Sequence, residues 1–245
     1  MNIKKSIPNI FTLLNLLSGT IGVIFAVQGE LVIAAYLVFL GIFFDFFDGF
    51  FARLLNVQGE LGKQLDSLAD VVTSGVVPGI VMFQLLNGAI ETGSWFVGKP
   101  FLETSTAAII SFSGLAITLA AAYRLAKFNI DERQTSSFIG LPTPASAMVV
   151  LSLPLILEYS SFEIASIIIH NKWFLVSLTA VLCYLMNAEI PLFSLKFKNY
   201  KWKDNQLKFI FLIATIILIA GLKFIAIPLV ILMYIIFSLF YKEHK

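Results

Sequence analysis

The sequence has few residues of the kinds that form cross-links or metal–imidazole sites. Its single cysteine, Cys183, lies in an apolar stretch, so a framework of disulfides within the chain is excluded. The two histidines, His170 and His244, fall outside the apolar runs. Their placement indicates neither a zinc site nor a catalytic dyad, and we expect both at the surface. The chemistry of this protein must therefore come from other side chains.

Apolar residues, by contrast, make up 58% of the chain, and the mean hydropathy is +0.90. Soluble domains have about 45–50% apolar residues, so the composition predicts an all-α polytopic membrane bundle. The apolar runs are long enough for about eight transmembrane helices. They lie near residues 10–27, 31–54, 62–86, 105–128, 142–156, 173–186, 209–220 and 224–241.

The first run follows two lysines and has the superficial form of a signal peptide. Because the run is long and Ala26-Val27-Gln28 is a poor cleavage site, we predict an uncleaved span. Gly75, Pro78 and Gly79 interrupt the third run and are expected to kink its helix. The main connections are predicted as loops at residues 56–64, 87–103, 129–137 and 195–208.

Basic residues predict the orientation of these spans, because cytoplasmic loops carry an excess of lysine and arginine. Eight spans place both termini on one side. Only Lys99, Lys172 and Lys223 would then lie on the other side, so the termini are predicted to face the cytoplasm. The fourteen cytoplasmic residues would be Lys4, Lys5, Arg53, Lys63, Arg124, Lys127, Arg133, Lys196, Lys198, Lys201, Lys203, Lys208, Lys242 and Lys245.

The basic loop near residues 195–208 also carries Phe197, Tyr200 and Trp202. Such charge and aromatic residues are typical of a segment that lies at anionic lipid headgroups. A dedicated substrate site there is a weaker alternative, and we expect membrane lipids, rather than nucleic acid, as the partner.

Four aspartates in the second and third runs are the anomaly of the sequence. All other acidic residues lie in predicted loops or tails. An ionised carboxylate inside an apolar helix is costly unless something compensates its charge. Asp45 and Asp48 are three residues apart, and Asp66 and Asp70 are four apart, so each pair lies on one face of its helix. Two helices can thus present four carboxylates to one space.

The same stretch contains too few cations to neutralise these aspartates, since Arg53 and Lys63 are its only basic residues. Bound divalent metal is the simpler counter-charge, and ligand sets made only of oxygen favour Mg²⁺ or Mn²⁺. Gly49, Ala52 and Gly62 leave backbone accessible to a bulky ligand. Arg53 adds a planar guanidinium suited to phosphate. Together these residues indicate phosphoryl chemistry.

The spacing D-x2-D-G-x2-A-R-x8-G-x3-D-x3-D, from Asp45 to Asp70, resembles the signature of the CDP-alcohol phosphotransferase family, with every fixed position present. The opening Pro8-Asn9-x-x-Thr12 is similar to the start of the family's first helix, which borders the nucleotide site. Residues 65–78, 124–129 and 138–144 resemble the phosphatidylserine synthases of this family. The resemblance implies a six-helix core in a domain of residues 1–190, with residues 191–245 forming a basic cytoplasmic loop and a two-helix extension.

The resemblance further implies transfer of the phosphatidyl group of CDP-diacylglycerol to L-serine, with release of CMP. Two divalent cations, Mg²⁺ or Mn²⁺, would be held, one by Asp45, Asp48 and Asp66 and the other by Asp45, Asp66 and Asp70. Asp70 would also accept the proton of the serine hydroxyl. The contacts to CDP-diacylglycerol would come from Asn9, Thr12, Gly49, Ala52, Arg53 and Gly62.

Arg124 and Lys127 are i,i+3 neighbours near a predicted helix end. They are either membrane anchors that also suit a helix C-terminus, or contacts to the serine carboxylate or a lipid phosphate. The resemblance also implies a homodimer in the bacterial inner membrane. The distribution of basic residues predicts that the four aspartates face the cytoplasm.

Two other functions remain open at this stage. Another acceptor, glycerol 3-phosphate or inositol phosphate, would require additional basic groups facing the metal site. A cation transporter would also place aspartates within the membrane, but it gives no role to Gly49, Ala52, Arg53 and Gly62. A purely structural protein would leave the four intramembrane charges unexplained.

Overall fold

The computed structural model of the chain describes residues 3–90, 109–131, 138–193 and 202–240. Nearly all of these residues are helical, which confirms the predicted all-α membrane fold as a class. The α-helices of the described ranges are α1 (Ile3–Gln28), α2 (Leu31–Leu54), α3 (Glu60–Asp70), α4 (Val77–Ile90), α5 (Ala116–Ile130), α6 (Thr143–Tyr159), α7 (Glu163–Ile169), α8 (Lys172–Asn187), α9 (Trp202–Leu222) and α10 (Ala226–Phe240). A π-helical segment, Val71–Val76, joins α3 to α4, and 3-10 helices cover Ile110–Leu115 and Lys223–Ile225.

Within the described ranges, four helical stretches have the length and hydropathy of membrane spans. Three of them are α1 from Ser6 onward, α2, and the continuous stretch Glu60–Ile90. The fourth stretch is Asn205–Leu239, and α7 with α8 qualifies as a further span bent by 73°. The shorter helix α6 is also apolar. An integral membrane protein follows from these lengths, which must cover a hydrocarbon core of about 30 Å.

The stretch Asn205–Leu239 folds into a hairpin. As one straight helix its 35 residues would extend about 52 Å, and Phe211 would lie far from Tyr234. The rings of these two residues are instead 5.8 Å apart, and Phe211 also lies 6.2 Å from Phe237. The chain reverses at Lys223, which has a left-handed backbone with φ of 49°. α9 and α10 therefore pack side by side.

Several predicted boundaries were wrong. α3 begins at Glu60, inside a predicted loop, and α4 extends to Ile90, beyond the predicted end of its span. α9 begins at Trp202, so the last part of the predicted basic loop is helical, and α7 lies where no element was predicted. α1 begins at Ile3, before the predicted start of the first run near residue 10, so Pro8 lies inside the helix. Long helices with apolar sides continue past the residues that a hydropathy pattern marks as polar, because packing against neighbours stabilises the extra turns.

Parts of the prediction fall outside the described residues. These are the features at residues 91–108, 132–137, 195–201 and 241, with His244, Lys99, Arg133, Lys196, Lys198, Lys201, Lys242 and Lys245. The side chains of Lys4, Lys5 and Lys203 also lie outside them. His170 is exposed, as expected.

The irregularity that was predicted in the third span takes the form of the π segment. The N–H of Val77 donates to the carbonyl oxygen of Val72, five residues earlier. Thr73, Ser74 and Gly75 are buried. A π turn holds more residues than an α turn, so it rotates the faces of the helix after it relative to the faces before it. Such turns occur often at functional sites, and this one follows Asp70 directly.

The apolar core is centred on α4 and α6. Val81, Met82 and Leu86 of α4 and Leu151 and Leu155 of α6 are fully buried. Many large apolar side chains on the other helices are exposed. A soluble protein rarely exposes so large an apolar surface, whereas a membrane protein exposes it to lipid. The outer helices therefore form the lipid-facing surface.

A two-residue antiparallel ladder, which the sequence did not predict, fixes the start of α6. Its strands are β1 (Phe138–Ile139) and β2 (Pro191–Leu192). Gly140 follows β1 with φ of 73° and donates its N–H to the carbonyl oxygen of Ile190 at 2.9 Å. A Cβ at this position would lie 2.6 Å from the carbonyl oxygen of Met186. Only glycine fits at this position. The close approach and the hydrogen bond of Gly140 join the start of α6 to the end of α8.

Substitution of Gly140 by alanine should destabilise the protein. The new Cβ adds strain from both the positive φ and the contact with backbone, so we expect a loss of about 1–3 kcal/mol. Thermal unfolding of purified protein in detergent would measure it as a lower Tm. Gly88→Ala is the matched control, because the added Cβ would meet no atom within 4 Å beyond its chain neighbours and the backbone of its own helix. Equal melting temperatures for the two variants would contradict this account.

Candidate active site

Three aspartates from two helices form a compact acidic cluster. Carboxylate oxygens of Asp45, Asp48 and Asp66 all lie within 4.8 Å of one another. An octahedral Mg²⁺ places its ligand oxygens about 3–4 Å apart. A small contraction of the cluster would therefore let all three residues bind one hard cation.

The surroundings of the cluster also fit a bound cation. Oδ1 of Asp66 is buried and has no hydrogen-bond partner in the described part of the chain. None of the four aspartates forms an ion pair with a described lysine or arginine. Carboxylates that are buried together without such partners are strongly unfavourable. The donor set, made only of oxygen, is the one that Mg²⁺ and Mn²⁺ prefer.

Asp70 lies beside this cluster but is not one of its three mutually close members. It is 8% exposed, and the charges of Asp66, Asp48 and Arg124 act on it. Its Oδ1 accepts a hydrogen bond from Nδ2 of Asn15 at 3.2 Å. The predicted quartet is thus a triad with an adjacent fourth carboxylate.

Helix α1 supplies two polar side chains to these aspartates. Oγ1 of Thr12, a predicted site residue, donates to Oδ2 of Asp48 at 2.6 Å. Asn15 is fully buried and was missed by the sequence analysis. It follows Thr12 by three residues and therefore lies on the same helix face. That spacing is the signal that would have found it.

Close packing of α1, α2 and the π segment holds these side chains in place. Thr73 lies between two glycines from different helices. A Cβ at Gly19 would be 2.5 Å from Thr73 Oγ1, and one at Gly41 would be 2.6 Å from Thr73 Cγ2. The Cβ at Gly41 would also be 2.8 Å from Oδ1 of Asn15. The small residues let three backbones approach, and this approach fixes where the carboxylates meet.

A cavity of about 480 Å³ opens beside the acidic cluster. Its volume is in the range of small-molecule sites, and two cluster aspartates form part of its wall. Five of the six residues predicted to contact CDP-diacylglycerol line it as well. The lining consists of Pro8, Asn9, Thr12, Asp48, Gly49, Ala52, Val57, Gln58, Gly59, Glu60, Gly62, Lys63 and Asp66.

Arg53, the sixth predicted contact, is exposed and lies next to the cavity wall. Its Nε donates to the carbonyl oxygen of Gly49 at 2.9 Å. Lys63 lines the cavity, and its Nζ donates to the carbonyl oxygen of Asn129 at 2.6 Å. The side chain of Asn129 exchanges hydrogen bonds with Ser67. These contacts join α3 to the end of α5, and no spacing in the sequence indicated them.

The two basic residues of α5 have different environments. Arg124 is 7% exposed, its charge acts on Asp70, and its Nε has no hydrogen-bond partner among the described residues. Its guanidinium carbon lies 6.0 Å from the ring centroid of Phe128. Nζ of Lys127 instead lies 3.5 Å from a carboxylate oxygen of Glu189, near the surface. The structure brings Arg124 to the aspartates and leaves Lys127 at the helix end.

Comparisons with known proteins identify the family of the chain. A family model described as CDP-alcohol phosphatidyltransferase matches residues 5–185. The CDP-diacylglycerol–serine O-phosphatidyltransferase of Bacillus subtilis strain 168 is 32% identical over 195 residues, which are 80% of this chain and 91% of that protein. The protein of the same name from Helicobacter pylori is 33% identical over 200 residues, covering 80% of this chain and 74% of its own length.

An archaeal relative extends the comparison. The archaetidylserine synthase of Methanothermobacter thermautotrophicus is 30% identical over 185 residues, which are 72% of each chain. The region that the family model matches, residues 5–185, contains all four aspartates and the whole cavity lining. The chain therefore belongs to the CDP-alcohol phosphatidyltransferase family.

Proposed function

We propose that this protein transfers the phosphatidyl group of CDP-diacylglycerol to the hydroxyl group of L-serine and releases CMP. One observation carries the proposal: two members of the acidic cluster, Asp48 and Asp66, form part of the wall of a cavity large enough for a nucleotide. The names of the relatives from Bacillus subtilis and Helicobacter pylori support serine as the acceptor.

The donor would bind in the cavity beside the cluster. Gly49, Ala52 and Gly62 have little or no side chain, so phosphate and ribose can approach the backbone there. Lys63 and Arg53 supply positive charge next to the cavity, and the fork of Arg53 can hold two phosphate oxygens. The acyl chains remain in the bilayer, because exposing them to water would cost about 0.8 kcal/mol per methylene. The scissile phosphate would therefore lie at the depth of the interface.

The aspartates would hold two divalent cations, Mg²⁺ or Mn²⁺. Asp45, Asp48 and Asp66 would hold one, and Asp45, Asp66 and Asp70 the other. When bound, such cations neutralise the pyrophosphate and stabilise the charge on the departing CMP. Thr12 orients the carboxylate of Asp48 through its 2.6 Å hydrogen bond.

Asp70 would act as the general base. The serine oxygen attacks the phosphorus of the phosphatidyl group, the bond from that phosphorus to the CMP oxygen breaks, and the hydroxyl proton passes to Asp70. The hydrogen bond from Asn15 to one oxygen of Asp70 fixes the orientation of the carboxylate and leaves its second oxygen for the proton.

The proposal includes eight membrane spans in the bacterial inner membrane, with both termini and the site at the cytoplasmic side. The hairpin of α9 and α10 supports two closing spans, and the distribution of basic residues supports the orientation. The division at residue 190 is supported by a family match that ends at residue 185. A homodimer is proposed from the family resemblance.

An assay with purified protein tests the function. CDP-diacylglycerol should be converted to phosphatidylserine and CMP when L-serine is supplied, and the lipid product is identified by mass spectrometry. Exhaustive chelation should abolish the activity, and Mg²⁺ or Mn²⁺ should restore it. If a lipid product forms only with glycerol 3-phosphate or inositol phosphate, that compound and not serine is the acceptor. If the protein carries cations across proteoliposome membranes and forms no lipid product, the proposed enzymatic function is wrong.

Replacement of Asp70 by asparagine removes the proposed base but retains its shape. We expect kcat to fall by about 10²–10⁴-fold, with CDP-diacylglycerol binding largely preserved. Glu163→Gln, a carboxylate at the start of α7, is the matched control and should leave kcat unchanged. A fully active Asp70→Asn enzyme would remove the base from the mechanism.

Replacement of Arg53 by lysine tests the phosphate contact. A lysine retains the charge but cannot reproduce the fork or the Nε contact to Gly49. We expect the KM for CDP-diacylglycerol to rise by about 5- to 10-fold, the loss of one hydrogen bond, while the KM for serine stays the same. Lys223→Arg, at the turn before α10, serves as the control. An unchanged KM for the donor would show that Arg53 does not contact it.

A further inference from the structure

Four buried polar side chains have atoms without a hydrogen-bond partner in the described part of the chain, and the four residues lie on elements that meet. The atoms are Oγ of Ser74, Nε of Arg124, Oγ1 of Thr143 and Oγ of Ser146. None of the four residues is more than 7% exposed. Buried polar groups are nearly always paired, so a group of unpaired ones indicates a ligand.

The π segment is the meeting point of these residues. It carries Ser74, which follows Asp70 by four residues, about one helical turn. α5, which carries Arg124, packs on the π segment, and a Cβ at Gly75 would lie 3.2 Å from Cβ of Ala121. The helix that begins at Thr143 packs against both the π segment and α5.

None of these four residues lines the donor cavity. The cavity lining comes from α1, α2, α3 and the loop between α2 and α3, and it includes no residue of α5 or α6. In an in-line displacement on phosphorus, the attacking and leaving oxygens occupy opposite sides. An acceptor held at Arg124, outside the donor cavity, is compatible with this requirement.

We propose that Arg124, Ser74, Thr143 and Ser146 bind the acceptor amino acid, an inference that rests on the proposed function. The guanidinium of Arg124 holds the carboxylate, and the three hydroxyl oxygens accept hydrogen bonds from the ammonium group. The acceptor hydroxyl then lies toward Asp70, which takes its proton. A single guanidinium with three hydroxyls fits a zwitterion, whereas a phosphorylated acceptor carries about two negative charges and requires further cations.

Steady-state kinetics with purified protein test this site. Arg124→Gln should raise the KM for L-serine by about 10- to 100-fold, the loss expected for hydrogen bonds to a charged group. Thr143→Val and Ser146→Ala should raise it by about 3- to 10-fold each. The KM for CDP-diacylglycerol should stay within about twofold in all three variants, because the donor cavity is formed by other helices. A site of merely structural importance would change both constants.

Ser111→Ala is the matched control. Ser111 is also fully buried with an Oγ that lacks a partner among the described residues, but it lies in the 3-10 helix before α5. It should leave both constants unchanged. Equilibrium binding of labelled L-serine, measured without CDP-diacylglycerol, should weaken in parallel with the KM. Thr143→Val and Ser146→Ala change only small groups and are expected to fold. They still test the site if Arg124→Gln does not fold.

The outcomes separate the two proposals. A wild-type enzyme that makes no phosphatidylserine refutes the proposed function. If the wild-type enzyme makes phosphatidylserine but the variants keep the KM for serine, the acceptor-site proposal is wrong. It is also wrong if the variants change the KM for CDP-diacylglycerol as much as the KM for serine.

Discussion

The main physical constraint on this structure is the mutual repulsion of carboxylates that lie together inside an apolar bundle. Asp45, Asp48 and Asp66 have oxygens within 4.8 Å of one another, and Asp70 lies beside them with 8% of its surface exposed. In a medium of low dielectric constant such groups stay ionised together only when cations bind them. The cluster therefore offers a set of ligands that could hold a metal ion.

The packing around the aspartates determines how that affinity is used. Thr73 fits between Gly19 and Gly41, so α1, α2 and the π segment approach closely. This approach brings Thr12 and Asn15 within hydrogen-bond distance of Asp48 and Asp70. A catalytic group that is misplaced loses much of its effect. Gly19 and Gly41 are therefore important for the reaction, because they allow the packing that positions the aspartates.

Two groups of residues with different chemical characters lie near the aspartates. One group lines an open cavity that has small residues in its wall and basic groups next to it. The other group is buried and polar and includes Arg124, whose charge acts on Asp70. The π segment connects the two, because it follows Asp70 and carries Ser74.

The sequence alone determined the membrane class, the four aspartates and about half of the residues that line the cavity, because these depend on composition and on fixed spacings within one or two helices. Asn15 was within reach of the same reasoning, through its spacing from Thr12. Only the tertiary structure decided that Arg124 approaches Asp70 while Lys127 pairs with Glu189, since both residues belong to one helix and only their neighbours differ. It also decided the hairpin of α9 and α10, the ladder at Gly140 and the meeting of Ser74 with α5 and α6. Those contacts join segments far apart in the chain, and no local pattern of residues specifies which distant backbone will pack against them.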